Sequence, residues 1–173
     1  MPGYAFKSHK LSEPERRWLE EVASSPQFDP RVARVKLLSI LPRGFDSNII
    51  DKRLLIDCQL TPLGRWYLNP DDPVLKTIDK VATSIRDILL GQPGTYQIDA
   101  KEIASKCGLR VMEVAQALAE LGKLGRFNSG GSRSDTLNGY ARIELATESV
   151  YADYLDYKGL DDLLERAYAS RES

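Results

Sequence analysis

The side chains that do most enzymatic chemistry are scarce in this chain of 173 residues. It holds one histidine, His9, and two cysteines, Cys58 and Cys107, 49 positions apart. A lone imidazole near the start of the chain excludes His-based triads and dyads and any His-rich metal site. Two cysteines so far apart do not make the paired spacing of a zinc site. Gly130-Gly131-Ser132 is not followed by the Lys-Ser/Thr that a phosphate-binding loop needs, and no G-x-G-x-x-G run occurs. Carboxylates are left as the only catalytic groups, and no pair of them is marked by spacing or by an apolar setting. The expectation is a protein that is not an enzyme, with no catalytic, cofactor-binding or metal-ligating residues. Both cysteines lie in apolar stretches, which predicts buried, inert thiols.

The remaining chemistry is recognition of charge and of apolar surface. Lys and Arg total 24 against 25 Asp and Glu, a net charge of −1. The molecule as a whole is therefore no polyanion binder, although one face can be. Residues 1–70 carry eleven bases and eight acids, with Arg31 and Arg34 three apart as a basic ridge. Residues 99–145 carry seven bases and six acids, and residues 146–173 three bases and seven acids. Arg110, Arg126, Arg133, Arg31 and Arg34 are the candidate phosphate contacts. No apolar run approaches the roughly 18 residues of a membrane span. Residues 1–7 lack the apolar core of a secretory signal. No membrane partner is expected, and the expected compartment is the cytoplasm.

Helices must position these groups, and their signals are clear. Ser12 with Glu15 predicts a capping box, with Pro14 tolerated in the first turn. Trp18, Leu19 and Val22 follow as one stripe. Asp29-Pro30 opens a second helix carrying Val32, Val35, Leu38 and Leu41. A short third helix follows Asp46 or Ser47. Residues 54–56 and 58–60 read as brief strand or extended chain. Thr61-Pro62 opens a short helix through Leu63, Trp66 and Tyr67. The run Asn69-Pro70-Asp71-Asp72-Pro73 reads as a junction between modules. A long helix over 73–90 follows, with Val74, Ile78, Val81, Ile85 and Ile88 on its seam. The fold class is mainly α with a small β hairpin. The domains are 1–70, 71–145 and an acidic, tyrosine-rich helical tail, 146–173. In that tail Lys158-Gly159 separates two helices, whose apolar stripes dock on the same chain or on a partner.

Residues 96–98 predict a short strand and Asp99 the cap of a helix over 100–106. Gly108 supplies the positive φ with which a chain leaves a helix. A second helix points Val111, Val114, Leu118 and Leu121 inward. Arg126-Phe127 and an alternating stretch over 139–145 flank a turn-rich tip. Helix, strand, helix, turn, helix and hairpin, with Ala104, Gly108 and Val114 at the joint, resemble the winged-helix branch of the helix-turn-helix superfamily. The resemblance spans about residues 73–145. It implies that the helix over 111–121 is the recognition helix and that residues 126–142 form the wing. Residues 60–64 are similar to a step that follows wings in some relatives, so an imperfect first winged helix within 1–70 stays open.

The resemblance implies DNA binding first and protein contact second. The outward face of the recognition helix predicts the reverse order here. Met112, Glu113, Gln116, Ala117 and Glu120 carry two carboxylates and no base, whereas DNA affinity comes mainly from cations set against phosphates. Met112, Glu113, Gln116 and Glu120 are therefore the expected interaction surface. The expected function is a non-enzymatic adaptor or regulator that contacts protein or self-associates. The alternative is a DNA-binding transcriptional regulator that uses the basic N-terminal helices and the wing arginines.

Overall fold

A computed structural model describes residues 4–24, 54–56, 59–95, 97–124, 142–145 and 148–169. The expected helices after Asp29 and Asp46, Cys58, and most of the expected wing with Arg126 and Arg133 lie outside the described residues, as do Arg31 and Arg34. The described chain is mostly helical, and it divides into two compact units. The first comprises Met1–Asp72 and Leu164–Ser173, the second Pro73–Leu163.

Local signals open the helices of the first unit. In α2 (Glu13–Ser24) the Ser12 backbone N–H donates to Glu15 Oε1 at 3.0 Å, and the Glu15 N–H donates to Ser12 Oγ at 3.3 Å. Two orphan donors of the first turn are thereby satisfied. Before it lies α1 (Ala5–Ser8), a single turn. Strands β1 (Leu55–Ile56) and β2 (Gln59–Leu60) pair antiparallel, Leu55 opposite Leu60. Helix α3 (Pro62–Leu68) starts at once, with Thr61 Oγ1 accepting from the Gly64 N–H at 3.2 Å and Pro62 at the first helical position. Gly64 is a steric necessity, because a Cβ there would overlap the Leu54 carbonyl oxygen.

In the second unit α4 (Pro73–Gly91), α5 (Ala100–Cys107) and α6 (Val111–Gly122) pack against one another in pairs. The buried face of α4 is wider than the expected seam. It includes Leu75, Ile78, Val81, Ala82, Ile85, Ile88 and Leu89, while Val74 is only half-buried. A helix covered by two neighbours and a further helix needs more than one stripe of apolar side chains. Strand β3 (Gln97–Asp99) leads straight into α5 and pairs antiparallel with β4 (Arg142–Glu144), Ile98 opposite Ile143. Asp99 stands at the N-cap of α5, but its side chain makes no capping hydrogen bond. Gly108 ends α5 at φ 70°, which lets the N–H groups of Gly108 and Leu109 both reach the Ala104 carbonyl.

Helix α7 (Glu148–Leu155) packs on α4. The turn after it is clamped to α4: Tyr157 Oη donates to Asp79 Oδ1 at 2.6 Å, and Arg86 Nη1 donates to the Tyr157 carbonyl at 2.9 Å. Burial, then the hydrogen bond to the Asp79 carboxylate, push the Tyr157 phenol well above the ordinary tyrosine range. Gly159, at φ 118°, separates α7 from α8 (Leu160–Ala169). Tyr154, Leu163, Leu164 and Ala167 are buried, so described parts of both tail helices dock on this chain.

Candidate interaction surface

Helix α6 carries the expected surface, and its buried side is broader than the spacing implied. Val114, Leu118 and Leu121 are buried as expected, while Val111 is half-buried. Ala115 and Ala117 are buried too. Small side chains on both flanks let α4 and α5 approach from two directions. That close approach also covers Glu120, which keeps only 8% of its surface. Glu120 is therefore not part of an outward face, contrary to expectation, and neither is Ala117. The Glu120 carboxylate accepts from Lys123 Nζ at 2.7 Å, a charge-assisted bond that offsets part of the desolvation.

Met112 and Gln116 do face outward, Met112 with 48% of its surface exposed. Four residues apart, they share a ridge that continues through half-buried Ala119 to Lys123. At the start of the helix Glu113 Oε1 accepts from the Arg110 backbone N–H at 3.2 Å and from Arg110 Nε at 3.1 Å. The backbone bond first, and then the guanidinium, hold the Glu113 carboxyl below the usual carboxylate range. Arg110 is thus the only expected phosphate contact whose side chain is described. It is 80% exposed and engaged with a carboxylate on its own helix. Over residues 97–124 four cations (Lys101, Lys106, Arg110, Lys123) balance four carboxylates (Asp99, Glu102, Glu113, Glu120).

No spacing along the chain marks the groove where α4 ends beside α5. Asp87, Ile88, Gly91, Gln92, Glu102, Ser105 and Lys106 line an open volume of about 440 Å³. Asp87 and Glu102 both lie exposed in it. Among the described residues no group of three His, Cys, Asp or Glu side chains is placed to hold a metal ion. Cys107 is half-buried rather than buried as expected, and its Sγ donates to the Ile103 carbonyl at 3.0 Å. No described helix is long and apolar enough to cross a membrane. No protein-family model matches this chain, and neither a curated protein nor a solved structure does.

Proposed function

We propose that the second unit is a winged-helix-like module and that the protein is a non-enzymatic adaptor or regulator whose α6 ridge meets a protein partner. The succession α4, β3, α5, positive-φ glycine, α6 and β4, with three mutually packed helices and a two-stranded ladder, supports the architecture. One observation carries the choice of partner. The outward ridge presents Met112 and Gln116, and the guanidinium at its start is already engaged by Glu113. An exposed methionine beside a neutral amide suits an apolar protein contact. It adds nothing to phosphate affinity, which scales with the cations placed against the backbone.

A DNA-binding regulator is the second reading, and the exposure of Arg110 favours it. A surface ion pair is weak, so this guanidinium can leave Glu113 for a phosphate at little cost. Electrophoretic mobility of a duplex DNA pool across a salt series separates the two. The adaptor reading expects no retardation at physiological salt and no change on Arg110→Ala. Retardation that falls steeply with salt, and is weakened by Arg110→Ala, overturns it in favour of DNA. The adaptor reading also expects Met112→Glu to weaken self-association or partner contact while leaving the unfolding midpoint unchanged.

A further inference from the structure

The first unit holds residues 4–9 in the way a receptor holds a peptide. Helix α1 is a single turn with no side-chain cap at its start, and His9 after it is extended. A four-residue helix has no stability of its own, since nucleation costs more than one turn returns. Its placement must come from what it touches. Phe6 is fully buried, its ring meeting Trp66 edge-on at 4.9 Å between centroids. Both backbone polar groups of Phe6 are taken by side chains distant in sequence. Its N–H donates to Glu165 Oε2 at 3.0 Å, and its carbonyl accepts from Tyr67 Oη at 2.6 Å. The His9 ring lies near both Tyr67 and Tyr168, at 6.0 and 6.1 Å between centroids. An aromatic anchor in a pocket, with the anchor's own amide and carbonyl read by fixed polar groups, is a recognition geometry.

We propose that the pocket formed by Trp66, Tyr67, Glu165 and Tyr168 is a peptide-binding site, filled in cis by residues 4–9 and in trans by the same segment of a second copy. An identical segment makes identical contacts, so exchange between two copies loses none of the bonds just described. The cis state is favoured at low concentration, because its tether keeps the local concentration of the segment high. Crowding copies together shifts the balance toward the exchanged dimer. This site belongs to the first unit and does not rest on the α6 reading.

The test uses full-length chain carrying Phe6→Ala, which removes the anchor and leaves the pocket intact, and a labelled synthetic peptide of residues 2–11. Fluorescence anisotropy should show saturable binding of that peptide. A peptide with alanine in place of its phenylalanine should not bind. Adding Tyr67→Phe or Glu165→Gln to the Phe6→Ala chain should weaken binding by roughly tenfold each. If the Phe6→Ala chain does not fold alone, the peptide should restore cooperative unfolding when present during refolding. A folded variant that ignores the peptide, or an unfolded one that the peptide cannot rescue, overturns the proposal. Sedimentation of the unaltered chain at rising concentration should show a dimer that is lost in Phe6→Ala. Peptide binding with no dimer at any concentration refutes the second copy as the occupant.

Discussion

Replacing Gly64 with alanine tests the seating of α3 on the β1–β2 hairpin. Alanine normally improves a helix by about 1 kcal/mol over glycine, so propensity alone predicts a gain. Sterics predict the opposite. The added methyl would overlap the Leu54 carbonyl oxygen and lie 3.2 Å from both the Leu54 carbonyl carbon and Leu60 Cδ2. The Leu54 oxygen is backbone and already accepts from the Thr61 N–H at 3.1 Å, so it cannot swing aside as a side chain would. Either α3 shifts or that hydrogen bond opens. Overpacking of this kind costs roughly 1–3 kcal/mol, and an opened buried hydrogen bond adds about 1 kcal/mol. The net expectation is a loss of about 1–3 kcal/mol after the propensity gain. Gly91 is the matched control, because a Cβ there meets nothing within 4 Å. Gly91→Ala should be neutral or stabilising by up to about 1 kcal/mol. Both tryptophans, Trp18 and Trp66, belong to the first unit. Tryptophan emission during urea unfolding therefore follows that unit alone. Gly64→Ala should lower the emission midpoint, whereas Gly91→Ala, which lies in the second unit, should leave it unchanged and hold or raise the midpoint read by circular dichroism. A Gly64→Ala midpoint equal to or above that of the unaltered chain would refute the steric argument.

Tyr157→Phe should destabilise the second unit by about 1–3 kcal/mol, because it leaves the Asp79 carboxylate without its phenolic donor; circular dichroism in urea reads this. The same substitution should flatten the alkaline limb of stability. A raised phenol pKa stabilises the fold fully below the ordinary tyrosine value of about 10, and that contribution is lost as pH climbs above it. For Glu113 the sign is reversed. Its lowered carboxyl pKa supports the start of α6 above the unfolded value and ceases to do so as pH falls through the folded one. Amide exchange at residues 110–113 should therefore quicken on acidification, and Glu113→Ala should remove most of that pH dependence. Lys123→Met should cost about 1–3 kcal/mol, since it deprives the buried Glu120 carboxylate of a charged donor; a thermal melt checks it. No effect there would mean that the contact at 2.7 Å contributes nothing net.

Local features were legible in the sequence because their causes are local. Ser12 with Glu15, and Thr61 with Pro62, announce helix starts through side chains that reach only three residues along the chain. Gly108 announces a helix end because its left-handed conformation is costly for other residues. Spacing also marked Val114, Leu118 and Leu121 as interior. Glu120 eluded the same logic. A period of 3.6 finds the centre of a buried face but not its width, and the width of α6 depends on two neighbours that the period cannot count. Asp99 shows a competition of another kind. A residue held in the β3–β4 ladder keeps the position of a cap without turning its carboxylate to the helix. The groove at Asp87 and Glu102, and the docking of Phe6 on Glu165, join residues with no periodic relation, so no pattern along the chain foretold them.

The bonds that complete each unit have a bearing on how the protein is made. Phe6 waits for Glu165, 159 positions later, and Asp79 waits for Tyr157, 78 positions later. A ribosome releases residues from the amino end onward, so each of these partners emerges long after the residue that waits for it. Neither unit can finish before the other has mostly appeared. The usual sequence, in which the earlier domain matures while the next is still being translated, is closed to the first unit, because its Leu164–Ser173 segment follows the whole of the second. The nascent chain must keep the aromatic ring of Phe6 from straying until α8 emerges, and the apolar side of α4 until α5, α6 and α7 do.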